Sequence, residues 1–328
     1  MFLAPLSEIY GRQPVYTTGI FLFAILQIPT ALTPTYPGLA VTRFFTGCVA
    51  GLPISNVGAS SADLFSPSQT AWPIMWFSAM SQAIGPDIGP TIGSAIYVRL
   101  GSLNWLYWTV LIAGMVTFVW SLTFGETLHD KVYQKHTGHK IEKSAGQLVG
   151  KELFRAFKLL FTDPIVIALA LTTTYLFGLI FIYLEGYPLV YELGGTYSFN
   201  ALQEGTMFLT GVGGAIFALA TQPFQNYLYT RSARFTSNGK PRPEARLYTA
   251  VVAVWALPIS IFWFAFTSTH PEISYQIPMW SGFLFGYAEV AVYTGIWQYV
   301  TDAYGEHSGS ALAACNLPAN GKYSFVSL

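Results

Sequence analysis

The sequence predicts an all-α polytopic membrane protein. Its 328 residues are 52% hydrophobic and only 10% charged, whereas soluble domains carry about 25% charged residues. Apolar segments of about 20 residues, the length that crosses the hydrocarbon core of a bilayer, recur along the whole chain. The basic residues lie almost entirely in every second connection between those segments. A chain of this composition lacks the polar surface to cover itself in water, so a bundle of membrane-spanning helices is expected.

Eight complete spans are predicted in order along the chain. Each joins an apolar stretch to short connections that are rich in Gly, Pro, Ser and Asn. The spans are 15–31, 39–60, 72–97, 105–124, 165–190, 206–228, 247–268 and 276–299. The first six residues are interpreted as the tail of an earlier span, and 308–317 as the start of a later one.

The distribution of Lys and Arg predicts the orientation of these spans. Arg99 is the one basic residue in the second set of connections, whereas the first set, which contains the opening loop, holds thirteen. Those thirteen are Arg12, Lys131, Lys135, Lys140, Lys143, Lys151, Arg155, Lys158, Arg231, Arg234, Lys240, Arg242 and Arg246. Because basic loops stay on the cytoplasmic side, the opening loop and the two long connections, 125–163 and about 229–246, are predicted to be cytoplasmic.

The connection 125–163 divides the spans into two groups and contains a predicted amphipathic helix. Its hydrophobic face and its basic face are formed, respectively, by Leu153, Phe154, Phe157, Leu160 and Phe161, and by Lys151, Arg155 and Lys158. This pattern is typical of a helix that lies on the membrane surface. The alternative is a solvated linker that contains some hydrophobic residues.

Ionisable residues within spans are costly, so each suggests a function. Arg43 shares a helix face with Gly47 and Gly51, and such a stripe of small residues is expected to seat a neighbouring helix. The alternative is that Arg43 extends to the headgroups. Glu185 lies near the outer end of its span and could simply reach water, whereas Glu289 falls in the middle of its span.

The segment "AIGPDIGPTIGSAI" combines glycines at helical spacing with two prolines. Its characteristic residues are Gly85, Pro86, Asp87, Gly89, Pro90 and Gly93. The glycines predict a smooth groove for close helix contact, and each proline removes a backbone hydrogen bond and bends the helix. Asp87 is expected to contact substrate or a proton.

These motifs together resemble the major facilitator superfamily, specifically its fungal twelve-helix drug:proton antiporters. "APLSEIYGRQPV" resembles the signature loop between the second and third helices, with Leu6, Glu8, Gly11 and Arg12 matching. "LAVTRFFTGCVAG" is similar to the fourth-helix motif, and the Gly-Pro segment is similar to the fifth-helix motif typical of antiporters. "NWLYW", "GETL", "PEARL" and "YVTDAYGEHSGSALAA" extend the resemblance over nearly the whole chain.

The resemblance implies a major facilitator fold of two helical bundles, 1–124 and 164–328, joined by the linker 125–163. It also implies that the chain lacks the first helix, most of the second, and the last part of the fold. The expected function is proton-coupled efflux of small organic compounds, such as drugs, polyamines or secondary metabolites, by alternating access. Arg43, Asp87 and Glu289 are assigned to proton coupling and Asp87, Glu185 and Glu289 to substrate binding. Glu8, Gly11 and Arg12 are assigned to a cytoplasmic gate.

Several other functions compete with efflux as interpretations of the sequence. A membrane enzyme is disfavoured because the five histidines fall in loops, and His136 and His139 have no third metal ligand nearby. A pump driven by ATP is disfavoured because the sequence contains no P-loop. A non-functional remnant of a transporter and a solute facilitator stay as alternatives. No cofactor, metal or nucleic acid is expected, and the chain is expected to act as a monomer with substrate, protons and lipid as partners, in the plasma membrane or the vacuolar membrane.

Overall fold

The computed structural model describes residues 7, 10–51, 56–57, 60–61, 63–65, 69–137, 154–155, 157–192, 194–235, 241–305 and 308–323. Within these ranges the regular elements are helices, and no strand is present. The α-helices in chain order are α1 (Arg12–Leu32), α2 (Tyr36–Ala50), α3 (Ala71–Ala79), α4 (Gly85–Leu100), α5 (Asn104–Ser121), α6 (His129–Thr137), α7 (Pro164–Tyr191), α8 (Ala201–Met207), α9 (Leu209–Ser232), α10 (Tyr248–Ala253), α11 (Ala256–Ser268), α12 (Gln276–Tyr304) and α13 (Ser308–Tyr323). The predicted all-α fold is therefore confirmed.

Four helical segments are long and apolar enough to cross a membrane by length and composition. They are Arg12–Leu32, Pro164–Tyr191, Ala201–Ser232 and Pro243–Ser268. The other predicted spans, 39–60, 72–97, 105–124 and 276–299, are also mainly helical where the structure describes them, with turn or bend residues at 51 and 122–124. Helices are thus present at all eight predicted positions, while the crossing of the membrane by each of them stays a prediction.

Contacts between Cα atoms group the chain into two compact units. Unit 1 comprises Met1–Ser68, Leu100–Thr174 and Glu306–Leu328, and unit 2 comprises Gln69–Arg99 and Tyr175–Gly305. The grouping reflects mutual contact rather than order along the chain, and it joins α3 and α4 to helices of the second half. The division into 1–124, 125–163 and 164–328 stays a prediction.

Unit 1 is centred on the packing of α1 against α2 and α5. Small residues allow α1 and α5 to approach closely, since a Cβ atom on Gly114 would lie 3.0 Å from the Cβ atom of Ala24. Phe21 and Phe118 pack nearby with their ring centroids 4.9 Å apart. The opposite side of α5 leaves large apolar side chains exposed, among them Val116, as expected for a surface that faces lipid.

Unit 2 is built around α12, which packs against α3, α9, α10 and α11. A Cβ atom on Gly214 would clash with the carbonyl oxygen of Phe283, and one on Gly286 would clash with that of Gly211. These glycines bring the backbones of α9 and α12 into direct contact. Beside them, α3, α9 and α12 share a buried cluster formed by Ala79, Ala83, Ala215, Ala218 and Val290.

Candidate functional site

Asp87 is the acidic residue around which the candidate site is built. It lies in the first turn of α4, directly after a π-helical turn at Met80–Ile84. Its carboxyl group lies against Gly211 of α9, where a Cβ atom would clash with Asp87 Oδ2. Because only a glycine leaves room there, the position of the carboxyl group depends on residue 211 as much as on residue 87.

The same face of α4 continues into close contact with α8. A Cβ atom on Gly205 would meet Ser94 Oγ and the backbone of Pro90 and Thr91, and Thr91 Oγ1 donates a 2.6 Å hydrogen bond to Gly205 O. As residue numbers rise along α4 from 87 to 94, those of the partner fall from 211 to 205. The two segments are therefore antiparallel here.

Of the glycines predicted to form a groove, Gly85 and Gly89 do not take part in this contact. A Cβ atom on Gly89 would enter open space, and one on Gly85 would meet only Met80 O of its own helix. The glycines that permit close approach lie on α8 and α9 instead. The interruption predicted at the prolines takes the form of the π-helical turn, in which the Gly85 N–H bonds to Met80 O five residues back, immediately before Pro86, which has no N–H to donate.

Glu289, in the middle of α12, is the second acidic residue of the site. Its side chain is only 4% exposed, and its Oε1 atom has no hydrogen-bond partner among the described residues. It lies close enough to Asp87 and to Tyr293 for electrostatic interaction. A buried carboxyl oxygen without a hydrogen-bond partner is costly. Its presence here therefore suggests a functional role for Glu289 and not a structural one.

A cluster of four hydroxyl groups, from Tyr183, Tyr187, Thr210 and Ser281, lies in the same unit as Asp87, and Tyr187 is within electrostatic range of it. Tyr183 donates to the hydroxyl oxygen of Tyr187 at 2.8 Å and lies 3.1 Å from that of Ser281. Tyr187 and Thr210 both donate to Met279 O, at 3.2 and 3.0 Å. This hydroxyl cluster joins α7, α9 and α12.

The hydroxyl cluster and the carboxyl groups belong to one region of unit 2. Tyr187 lies within electrostatic range of Asp87, and its ring stacks on Phe264 with centroids 5.1 Å apart. The neighbouring Tyr183 ring stacks on Phe285 at 4.2 Å. The hydroxyl of Tyr187 and the carboxyl group of Glu289 thus both lie within electrostatic range of Asp87.

Arg12, predicted to belong to a cytoplasmic gate, is buried in unit 1 and paired. Its Nε donates to Asp63 Oδ2 at 3.1 Å and its Nη1 to Ser7 Oγ at 2.6 Å, and Ser7 Oγ in turn donates to Asn56 Oδ1. Its backbone N–H donates to Glu126 Oε1 at 2.8 Å. The predicted acidic partner, Glu8, lies outside the described residues.

Gly11 is required by the same arrangement. Its φ angle is +106° and its ψ angle 155°, a conformation that is essentially restricted to glycine. A Cβ atom there would also clash with the Glu126 carboxyl group. Glu126 is fixed in place because its Oε1 also accepts hydrogen bonds from the backbone N–H groups of Thr127 and Leu128.

Unit 2 contains a second buried arginine in a comparable setting. Arg246 Nε donates to Asp302 Oδ2 at 2.8 Å and Nη1 to Asn226 Oδ1 at 3.1 Å, while the guanidinium lies 3.5 Å from the centroid of the Tyr229 ring. In both units an arginine at the start of one helical segment pairs with an aspartate further along the chain, 51 residues later for Asp63, which follows α2, and 56 residues later for Asp302, which lies in the last turn of α12.

The remaining predicted site residues are Arg43 and Glu185. Arg43, in unit 1, is exposed, with its Nη2 3.4 Å from the hydroxyl of Tyr107 and its guanidinium 5.1 Å from that ring's centroid. A Cβ atom on Gly47 would enter open space, so the expectation that this stripe seats a helix is wrong for the described residues. Glu185 is exposed on α7, on a different face from the buried Tyr183 and Tyr187.

Sequence reasoning missed most of the partners of the predicted residues. The hydroxyl groups of Tyr183, Tyr187, Thr210 and Ser281 carry no recognisable spacing, because they come from three helices. The pairing of Asp302 with Arg246 could have been predicted, because these two residues are 56 positions apart, close to the 51 positions between Arg12 and Asp63.

Comparison with known proteins identifies the family. The model of the Major Facilitator Superfamily matches residues 1–320, so the chain belongs to this family of multi-pass membrane transporters. The transporter paaT of Penicillium rubens is 34% identical over 96% of this chain and 59% of its own length. The efflux pump atB of Aspergillus terreus is 32% identical over 96% of this chain and 69% of its own length.

A solved structure confirms the major facilitator fold. The human organic anion transporter MFSD10 superposes with a TM-score of 0.63 at 18% identity, covering 98% of this chain and 71% of that protein. The chain spans about three fifths of the length of the first curated relatives that it matches, at 60%, 59% and 62%.

Proposed function

We propose that this protein exports small organic compounds across a membrane in exchange for protons, by alternating access between the helical bundles 1–124 and 164–328. The observation that carries the proposal is the burial of Glu289 within electrostatic range of Asp87 in unit 2, with Glu289 Oε1 lacking a hydrogen-bond partner among the described residues. Membrane-buried carboxyl groups are typical of proton and substrate pathways in transporters. The printed name of the relative atB, an efflux pump, supports export rather than uptake.

The other predicted residues take supporting roles in this proposal. Arg43 is assigned to proton coupling, and Glu8, Gly11 and Arg12 to the cytoplasmic gate. The buried pair of Arg12 with Asp63 supports the gate, because such a pair can form in one conformation and break in another. The plasma membrane is the proposed location, with the vacuolar membrane as the alternative.

A transport assay tests the proposal. Drug-sensitive yeast cells that express the chain are loaded with a fluorescent dye, and the dye remaining in the cells is followed over time with and without a protonophore. Expression should accelerate export, and the protonophore should abolish the acceleration. Asp87→Asn and Glu289→Gln should each abolish export, while Arg43→Ala tests the coupling role separately.

Two outcomes would reject the proposed exchange. Export that persists with the protonophore would indicate a facilitator. No export of any dye by cells in which the chain is correctly inserted would indicate a protein without transport activity.

A further inference from the structure

The interface between α3 and α12 joins helices from the two predicted bundles within unit 2. Because α3 belongs to the first bundle and α12 to the second, this interface must separate if the bundles move in alternating access. Two contacts stabilise it. Gln298 Nε2 donates a hydrogen bond to Ala71 O at 3.1 Å, and the rings of Phe77 and Trp297 stack with their centroids 5.6 Å apart.

Two hydroxyl groups are buried at the same interface. Ser78 directly follows Phe77, which stacks on Trp297, and directly precedes Ala79, which belongs to the buried cluster shared by α3, α9 and α12. Thr294 lies three residues before Trp297, on the same face of α12. The exposed fraction is 0% for Ser78 and 2% for Thr294, so both hydroxyl groups are enclosed by the packing of these helices.

Neither hydroxyl group has a hydrogen-bond partner among the described residues, and neither has Trp297 Nε1. Other buried hydroxyl groups in these helices donate to a carbonyl oxygen of their own helix. Thr301 donates to Trp297 O at 2.8 Å, and Ser260 donates within α11 at 2.7 Å. Ser78 and Thr294 make no such bond, so their burial at the α3–α12 interface is destabilising.

We propose that the α3–α12 interface is a conformational latch whose strength is limited by its own unpartnered hydroxyl groups. The latch is closed in this structure by the Gln298 hydrogen bond and the Phe77–Trp297 stack. When the helices separate, water can bond to the hydroxyl groups of Ser78 and Thr294, which favours the open form. This inference rests on the alternating access of the proposed function, but not on proton exchange or on the class of the substrate.

The balance between these contacts predicts two opposite effects of substitution. Thr294→Val and Ser78→Ala each remove an unpartnered hydroxyl group and keep the side chain small enough for the same packing, so both should favour the closed form. Gln298→Met removes the hydrogen bond to Ala71 O and should favour the open form.

The reaction rate of a thiol introduced by Ala71→Cys measures the opening. Ala71 is 1% exposed, so this thiol should react only when the helices separate. The parent protein also carries Cys48→Ala and Cys315→Ala, and the purified full chain in detergent micelles is treated with a low concentration of a charged maleimide. Relative to this parent, Thr294→Val and Ser78→Ala should each slow the reaction about fivefold or more, and Gln298→Met should accelerate it about fivefold.

Matched controls separate the latch from hydroxyl loss in general and from global unfolding. Thr301→Val and Ser260→Ala remove buried hydroxyl groups that have partners, so neither should slow the reaction. A second parent keeps the buried Cys315 of unit 1 and lacks Ala71→Cys. Its thiol should react at a rate that Thr294→Val leaves unchanged.

Three results would overturn the inference. They are an unchanged or faster reaction in both Thr294→Val and Ser78→Ala, an equal slowing by Thr301→Val, and an equal slowing at Cys315, which would indicate global stabilisation. A variant that folds poorly reacts faster, so misfolding cannot imitate the expected slowing.

Failure of the latch is distinguishable from failure of the proposed function. If dye export collapses with the protonophore while the latch substitutions leave the reaction rate unchanged, the proposed exchange stands and the latch does not. If the reaction rates change as expected while no dye is exported, the latch stands and the proposed export is wrong.

Discussion

The burial of the Arg246–Asp302 pair allows the change in the free energy of unfolding on substitution of either residue to be predicted. The Arg246 side chain is 1% exposed and that of Asp302 14%, and their atoms are 2.8 Å apart. Asp302→Asn removes the negative charge and leaves the guanidinium buried among neutral partners, which include Asn226 and Tyr229. We expect a loss of about 3 kcal/mol in the free energy of unfolding, because an uncompensated buried charge costs roughly 3–5 kcal/mol and the ring offsets part of it.

Substitution of the arginine instead of the aspartate should lower the free energy of unfolding by a smaller amount. Arg246→Met replaces the guanidinium with an apolar side chain and leaves Asp302 able to reach water, so about 2 kcal/mol is expected from the lost charged hydrogen bonds. The double variant carries no unpaired buried cation. It should therefore be about 2 kcal/mol more stable than the sum of the single effects predicts, which is the signature of direct coupling.

Unfolding of the purified chain in mixed detergent micelles, followed by tryptophan fluorescence, measures these differences. Glu244→Gln is a matched control, because Glu244 is an exposed acid in the same Pro243–Leu247 segment; its effect should stay within about 0.5 kcal/mol. Additive single effects, with a coupling below about 0.5 kcal/mol, would refute the reasoning from burial.

Three other substitutions test the packing described above. Gly11→Ala should lower the melting temperature in a thermal unfolding scan, because φ is +106° and the new Cβ atom clashes with Glu126; an unchanged value would contradict this. Tyr187→Phe should cost about 1 kcal/mol in the same micelle unfolding experiment, since Thr210 still donates to Met279 O, and a loss above about 3 kcal/mol would show that the hydroxyl has a further structural role. Gly211→Ala displaces the Asp87 carboxyl group, so dye export should fall well below that of a Gly89→Ala control, where the Cβ atom enters open space; equal export by the two variants would count against the site.

The helices could be predicted because a membrane span is a local property of about 20 residues. The packing could not, because it depends on which faces meet. The glycines of "AIGPDIGPTIGSAI" are predicted to form the groove, yet Gly85 and Gly89 take no part in the close approach, which uses Gly205 and Gly211. A glycine in the sequence indicates that a close helix contact is possible at that position. Whether the contact forms depends on the position of the neighbouring helix.

The same distinction applies to the site: single residues can be predicted from the sequence, but the residues that lie next to them cannot. Asp87 and Glu289 were selected individually, because a charge within an apolar run is visible in the sequence. Their proximity was not visible, since 202 positions separate residue 87 from residue 289 in the chain. Glu185 had the same local signal but lies exposed, which shows that the signal alone does not distinguish a buried acid from one that reaches solvent.

The π-helical turn at Met80–Ile84 has a consequence for how this site could change over generations. A π turn accommodates one residue more than the α-helix around it, and each α-helical residue advances the chain by about 100°. Loss of a single codon between positions 80 and 84 would therefore restore a regular helix while Asp87 still faced Gly211 and Ala79 stayed packed against Ala215. The same loss in the α-helical turns on either side, where no wide turn absorbs it, would rotate Asp87 by roughly 100° relative to Ala79 and separate the carboxyl group from Gly211.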